Sequence, residues 1–238
     1  MTETLELPAK ATRGPTRRFE QRKTAIVASA VEVLNRKGVR GMTLGEVAAS
    51  LNLVPTGVIY YFKNKEDLAA ACFLKGVERF SQFLAAGEAG ADARERLTRF
   101  FDAYLDYRRR MALQEVEPLT TFNDVRALNS APVNVAYVDM FRRARGLLDG
   151  PETTELTRLE LNARTHMLLS EIFWAPVWLH RHDPEDYGRV TRRLLSITAD
   201  GLAAPGAAWN PRPLPDLIPE PPEGGGFPAN CSCGRPPS

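Results

Sequence analysis

Residues 43–65 read Thr43-Leu44-Gly45-Glu46-Val47-Ala48-Ala49-Ser50-Leu51-Asn52-Leu53-Val54-Pro55-Thr56-Gly57-Val58-Ile59-Tyr60-Tyr61-Phe62-Lys63-Asn64-Lys65. Three helix starts fall inside this stretch. Thr43 followed by Glu46 is a capping box: the Thr43 hydroxyl accepts from the Glu46 amide while the Glu46 carboxylate reaches back to the Thr43 amide. The helix it opens carries Leu44, Val47, Ala48 and Leu51 as its apolar stripe and ends near Asn52. Pro55 suits the first position of a second helix, where its missing N–H costs nothing, and that helix carries Val58, Ile59 and Phe62. Asn64 caps a third, whose first turn holds Glu66 and Asp67 beside the positive end of the dipole. Only about three residues separate the first two helices, which is helix-turn-helix geometry, with the later helix entering the major groove.

Upstream, Ile26, Ala30, Val33 and Val27, Val31, Leu34 recur at helical spacing between Phe19 and Asn35. Arg36-Lys37-Gly38 then supplies a basic last turn and a glycine stop. Residues 1–18, with Pro8, Gly14 and Pro15, read as a mobile arm. Its Arg13, Arg17 and Arg18, with Arg22 and Lys23, can follow a phosphate backbone or form a merely solvated terminus. Residues 1–75 hold twelve Lys/Arg against seven acids (+5), and the remainder nineteen against twenty-two (−3). A basic front end on a mildly acidic body suits a small nucleic-acid reader joined to a part that need not touch phosphate.

Downstream there is no strand pattern, so the fold is expected to be all-α: an N-terminal three-helix helix-turn-helix domain followed by a second helical domain. Helices are expected at 64–86, 92–112, 118–129, 132–148, 153–181 and 184–203, with Pro176 kinking or shortening the penultimate one. Between 153 and 181 apolar residues, among them Leu159, Met167, Ile172, Trp174 and Val177, cover more than one face. Such a helix is buried on several sides, within its own domain or against another subunit. After Gly201 the chain becomes Pro/Gly-rich and is expected to be mostly disordered. The expected division is 1–18 arm, 19–68 DNA-binding domain, 69–204 helical domain, and 205–238 tail.

The 238 residues are 44% hydrophobic and 25% charged, which suits a protein that buries a real core. No run approaches the roughly 20 apolar residues of a membrane span, and no apolar leader opens the chain, so the cytoplasm is the default location. Cys72 sits alone in a helical pattern as a small core residue, and Cys231-Ser232-Cys233 is a weak metal or redox signal. His180, His182, Asp183, Glu185 and Asp186 lie close enough to suggest a metal-dependent enzyme. However, Asp183-Pro184 followed by two acids is also a well-formed helix start. With no phosphate loop, nucleophile elbow or paired carboxylates, neither catalytic residues, nor a metal site, nor a cofactor is expected.

The run from Ile26 to Leu68 resembles, without a gap, the DNA-binding domain of the tetracycline-repressor (TetR) family. Ile26–Leu34 corresponds to the first helix, Gly38 to the glycine after it, and Thr43-Leu44-Gly45-Glu46-Val47-Ala48 to the opening of the second. Tyr61-Phe62-Lys63-Asn64-Lys65-Glu66-Asp67-Leu68 corresponds to the family's aromatic-Phe-x-x-Lys-x-x-Leu ending. Val54, Thr56 and Ile59 depart from the family's usual Ser, Gly and Tyr, so base contacts are not borrowed at those positions. The resemblance implies a ligand-responsive repressor that binds a palindromic operator as a homodimer, through helices near 153–181 and 184–203, with 69–204 as a helical regulatory, ligand-binding and dimerisation domain. A constitutive regulator without inducer is the alternative.

On DNA, Lys65 at the start of a helix opposes the dipole unless a phosphate bridges it and the nearby amides. Thr43 is the second phosphate candidate. Base readout is expected from Pro55, Thr56 and Gly57, with Tyr60 and Tyr61 offering hydroxyls to phosphate or base; Tyr61 can equally pack beside Phe62. The effector, if any, is small and apolar. Phe101, Tyr104, Phe122, Tyr137, Phe141, His166 and Phe173 could line its pocket or form ordinary core, and ligand residues are not assigned.

Overall fold

The apolar spacing before Gly38 becomes helix α1 (Arg17–Gly41), which buries all six expected residues, Ile26, Val27, Ala30, Val31, Val33 and Leu34. The computed structural model describes residues 17–122, 124–190 and 193, all within one unit of the chain. The expectations for most of the arm, for the segment beyond 190 and for the tail at 205–238 fall outside these residues.

Gly38 interrupts α1 with a φ of 70° and turns the chain toward Met42, as a glycine stop requires. Helices α2 (Leu44–Ser50) and α3 (Pro55–Ile59) follow, joined by a turn in which Asn52 takes a φ of 53°. Asparagine is among the few non-glycine residues that adopt this left-handed conformation readily. The Ala48 carbonyl accepts from both Leu51 N and Leu53 N, which fixes the turn. Helix α4 (Lys65–Glu88) starts on Asn64, whose side chain accepts from Asp67 N at 2.7 Å.

The C-terminal helical part is α5 (Ala93–Ala112), α6 (Ala131–Gly146) and α7 (Arg158–Trp178), with α4 packed against α1, α5 and α6. Residues 187–190 are again helical. Among the described residues there is no strand, and no helix is long and apolar enough to cross a membrane. Helix α7 begins at Arg158 rather than 153, because Thr157 and Glu160 form a capping box: Glu160 N donates to Thr157 Oγ1 and Thr157 N to Glu160 Oε2. Pro176 shortens it. The Ile172 carbonyl, denied a partner by the missing N–H of Pro176, accepts instead from the buried Tyr104 hydroxyl at 2.8 Å.

The helix expected at 118–129 is absent. The segment is an extended strap with one 3-10 turn at Val125–Ala127. Its backbone is bonded elsewhere: Asn35 Nδ2 donates to the Leu119 carbonyl and Asn35 Oδ1 accepts from Thr121 N, both at 2.9 Å. Thr120 Oγ1 donates to the Cys72 carbonyl, and Asp124 Oδ2 accepts from Val39 N. Leu119 and Phe122 are buried beneath the strap. Once these groups are satisfied by α1 and α4, an intrasegment helix offers the backbone nothing further.

Candidate nucleic-acid interface

The surface of α3 is built by what its inner face must bury. Val58 and Phe62, four residues apart, fill the core of the N-terminal domain. That orientation turns Pro55, Thr56 and Tyr60 outward, all exposed, with Gly57 half-buried between them. Four of the expected base-reading or hydroxyl-bearing residues therefore share one short exposed helix end. Val54 and Ile59 are exposed as well; sequence periodicity had grouped Ile59 with the inner residues, but its neighbour Val58 takes the inward position.

Tyr61 is half-buried and stacks on Phe19 of α1 with ring centroids 4.8 Å apart. Tyr60 meets the same phenylalanine edge-on at 6.0 Å. Phe19 thus pins the N-terminal turn of α1 beside the end of α3, a contact that the sequence reading missed. A lone aromatic at the edge of the periodic segment was its only signal. Arg18 and Arg22, on either side of Phe19 in the chain, are exposed, as is Lys63, and Lys23 lies over the Phe62 ring.

Thr43 caps α2 by accepting from Glu46 N at 3.2 Å, and its exposed hydroxyl keeps its own proton to donate. The second half of the expected capping box does not form. Glu46 instead pairs with Arg36 and Lys37 of α1, at 3.0 and 2.9 Å, and the Lys37 hydrogen bond is the main cause of its lowered pKa. Lys65 sits at the start of α4 as expected, with Nζ donating to the Arg40 carbonyl at 3.1 Å. The bond holds the ammonium at the seam between α1 and α4, on the same side of the domain as a helix N-terminus. Thr43, Lys65 and the α3 surface carry donors and cations suited to phosphate around a surface suited to base edges.

The C-terminal helical part is filled by aromatic rings. Phe80 lies 5.6–6.2 Å from Phe83, Phe100, Tyr104, Phe122 and Phe173. Phe101 is also buried, while Tyr137, Phe141 and Phe173 pack partly buried against the core. His166 is exposed on α7 and meets the Phe141 ring at 4.6 Å. A pocket of about 90 Å³ opens beside Lys75, Arg79, Tyr107 and Leu119, and one of about 10 Å³ between Phe80, Tyr104, Phe122 and Phe173. Among the described residues no group of three or more His, Cys, Asp or Glu side chains is placed to hold a metal.

Residues 26–72 match the family model for bacterial regulatory proteins of the tetR family. Solved structures share the fold. AibR, determined with isovaleryl coenzyme A and operator DNA, is 18% identical with a TM-score of 0.61, covering 74% of this chain and 97% of its own. A tetR-family regulatory protein from Rhodococcus RHA1 is 23% identical with a TM-score of 0.58, covering 76% and 97%. The regulator FadR of Bacillus subtilis, determined with stearoyl-CoA, is 17% identical with a TM-score of 0.53, covering 75% and 98%.

Proposed function

Since the chain belongs, through its N-terminal domain, to the tetR family of DNA-binding transcriptional regulators, we propose that it is a cytoplasmic repressor that binds a palindromic operator as a homodimer. In this reading residues 19–68 read DNA and residues 69–204 carry regulation and dimerisation, with α4 running across the boundary. One observation carries it: α3 presents Pro55, Thr56 and Tyr60 to solvent, flanked by Thr43 and Lys65 at helix starts. Phosphate contacts from the flanks would set the register, and the α3 surface would read the bases.

The dimer reading is supported by α7. It buries Thr165, Leu168, Leu169, Ile172 and Ala175 against its own domain and leaves Leu159, Met167, Trp174 and Val177 exposed. A two-fold dimer would match two half-sites of a palindrome. Selection from a random duplex library, followed by footprinting, tests the operator. The expected result is an inverted repeat, and a reporter driven through that site should fall when the protein is supplied. A single unrepeated site, or a reporter that rises, would contradict the repressor reading.

Effector response is supported by the relatives that carry acyl-CoA molecules and by an aromatic core into which a small apolar group could press. The filled core favours the rival reading, a regulator that binds DNA without an effector, because a pocket for a drug-sized ligand has a volume of roughly 300 Å³ or more. Operator affinity measured with isovaleryl-CoA and stearoyl-CoA separates the two. A tenfold or greater change supports effector control, and indifference to both supports constitutive binding.

A further inference from the structure

Readers of the major groove commonly use Arg, Lys, Asn or Gln side chains that fork onto base edges. Between Leu53 and Tyr61 this chain has none of them. What α3 and its cap present instead is apolar: Val54 is 67% exposed and Ile59 47%, beside Pro55 and the aromatic face of Tyr60. Neither aliphatic side chain has a packing role to explain it, since Val58 and Phe62 already fill the inner face. The same domain carries exposed cations: Arg18 and Arg22 lie one residue before and three after Phe19, whose ring meets Tyr60, and Lys63 follows α3 in the chain. Exposed apolar side chains on a cationic domain fit a partner that is polyanionic outside and apolar at one point inside. Duplex DNA is such a partner, and the apolar group on its major-groove edges is the thymine C5-methyl.

We infer that Val54 and Ile59 are specificity-determining residues that read thymine methyl groups in each operator half-site. The inference rests on the regulator reading above and deepens it. Thr56 is then the polar member of the set, and the apolar pair discriminates thymine from cytosine, which lacks the methyl.

The test uses the full chain and its selected operator, with each thymine replaced in turn by deoxyuridine, which removes the methyl and leaves every hydrogen-bonding group. One or two thymines per half-site should show affinity losses of about threefold to fivefold, the equivalent of losing burial of one methyl-sized group. In Val54→Ala or Ile59→Ala the uracil penalty should vanish at the matching position while the others persist. Both residues are on the surface, so unchanged melting temperatures are expected for the variants. Equal binding of every uracil duplex would overturn the inference and leave the regulator reading intact. A penalty that persists in both variants would overturn the assignment to these two residues. A protein that selects no sequence at all would overturn the regulator reading and the inference with it.

Discussion

Gly38 and Lys65 show how single residues shape the candidate DNA-reading domain. Gly38 combines a φ of 70° with a position where an added Cβ would lie 2.7 Å from Asp124 Oδ2, the carboxylate oxygen that accepts from Val39 N. Gly38→Ala would strain the backbone and push away the group that ties α1 to the strap. The expected loss is about 1–2 kcal/mol of unfolding free energy, read by urea denaturation; an unchanged midpoint would refute it. Lys65 donates to the Arg40 carbonyl yet remains only half-buried, so its charge still reaches solvent, where the proposed operator phosphate would meet it. For Lys65→Ala we expect binding to weaken alike on all duplexes and the slope of log K against log salt to fall by roughly one unit. A variant that loses stability while keeping the full slope would show that the residue only fastens α1 to α4. Burial pushes the Cys72 thiol up to about 12, in keeping with the small core residue its sequence context suggested.

At the scale of elements, what was legible in the sequence was whatever local chemistry decides. The stripe of α1, the Thr43 and Asn64 caps, Pro55 at the start of α3 and the glycine stop at Gly38 all follow from spacing and short-range hydrogen bonding. A local signal was equally available for α7, whose true start is marked by the Thr157–Glu160 box, but apolar residues around Leu156 drew the expected boundary upstream. The strap at 118–128 was not legible, because its partners Asn35, Val39 and Cys72 lie far away in the chain. Gly76 of α4 shows the same dependence on distant partners: an added Cβ would lie 2.9 Å from Thr120 Cβ, so the helix lacks a side chain where the strap crosses it. The α5–α7 contact is of this kind too, with Tyr104 supplying the donor that Pro176 withholds from the Ile172 carbonyl. Burial raises the Tyr104 pKa to about 12, so the hydroxyl stays a donor throughout the neutral range. Tyr104→Phe leaves a buried carbonyl unpaired and should cost about 1–3 kcal/mol. Calorimetry should register a lower melting temperature, and a variant as stable as the parent would mean that the carbonyl finds another partner.

For the molecule as a whole, the question is what covers the outer side of α7. Its exposed positions Leu159, Ala163, Met167, Ser170, Trp174 and Val177 advance by three or four residues each time and form a single stripe. This is the spacing of a helix that packs against another helix along its length, with small residues between large ones to admit a neighbour. Trp174, 60% exposed, is the largest side chain on it. A tryptophan left in water is a poor use of apolar area, whereas at the centre of a subunit interface it is the residue type most often found to dominate binding. Trp174→Glu places a charge where two copies would meet while leaving the buried face of α7, from Thr165 to Ala175, untouched. The variant should sediment as a monomer with its helical content unchanged. Its operator affinity should fall by about a hundredfold or more, because each half-site is then bound without the effective concentration that a linked partner supplies. A variant that remains dimeric and binds the operator as tightly as the parent would place the interface elsewhere on the molecule.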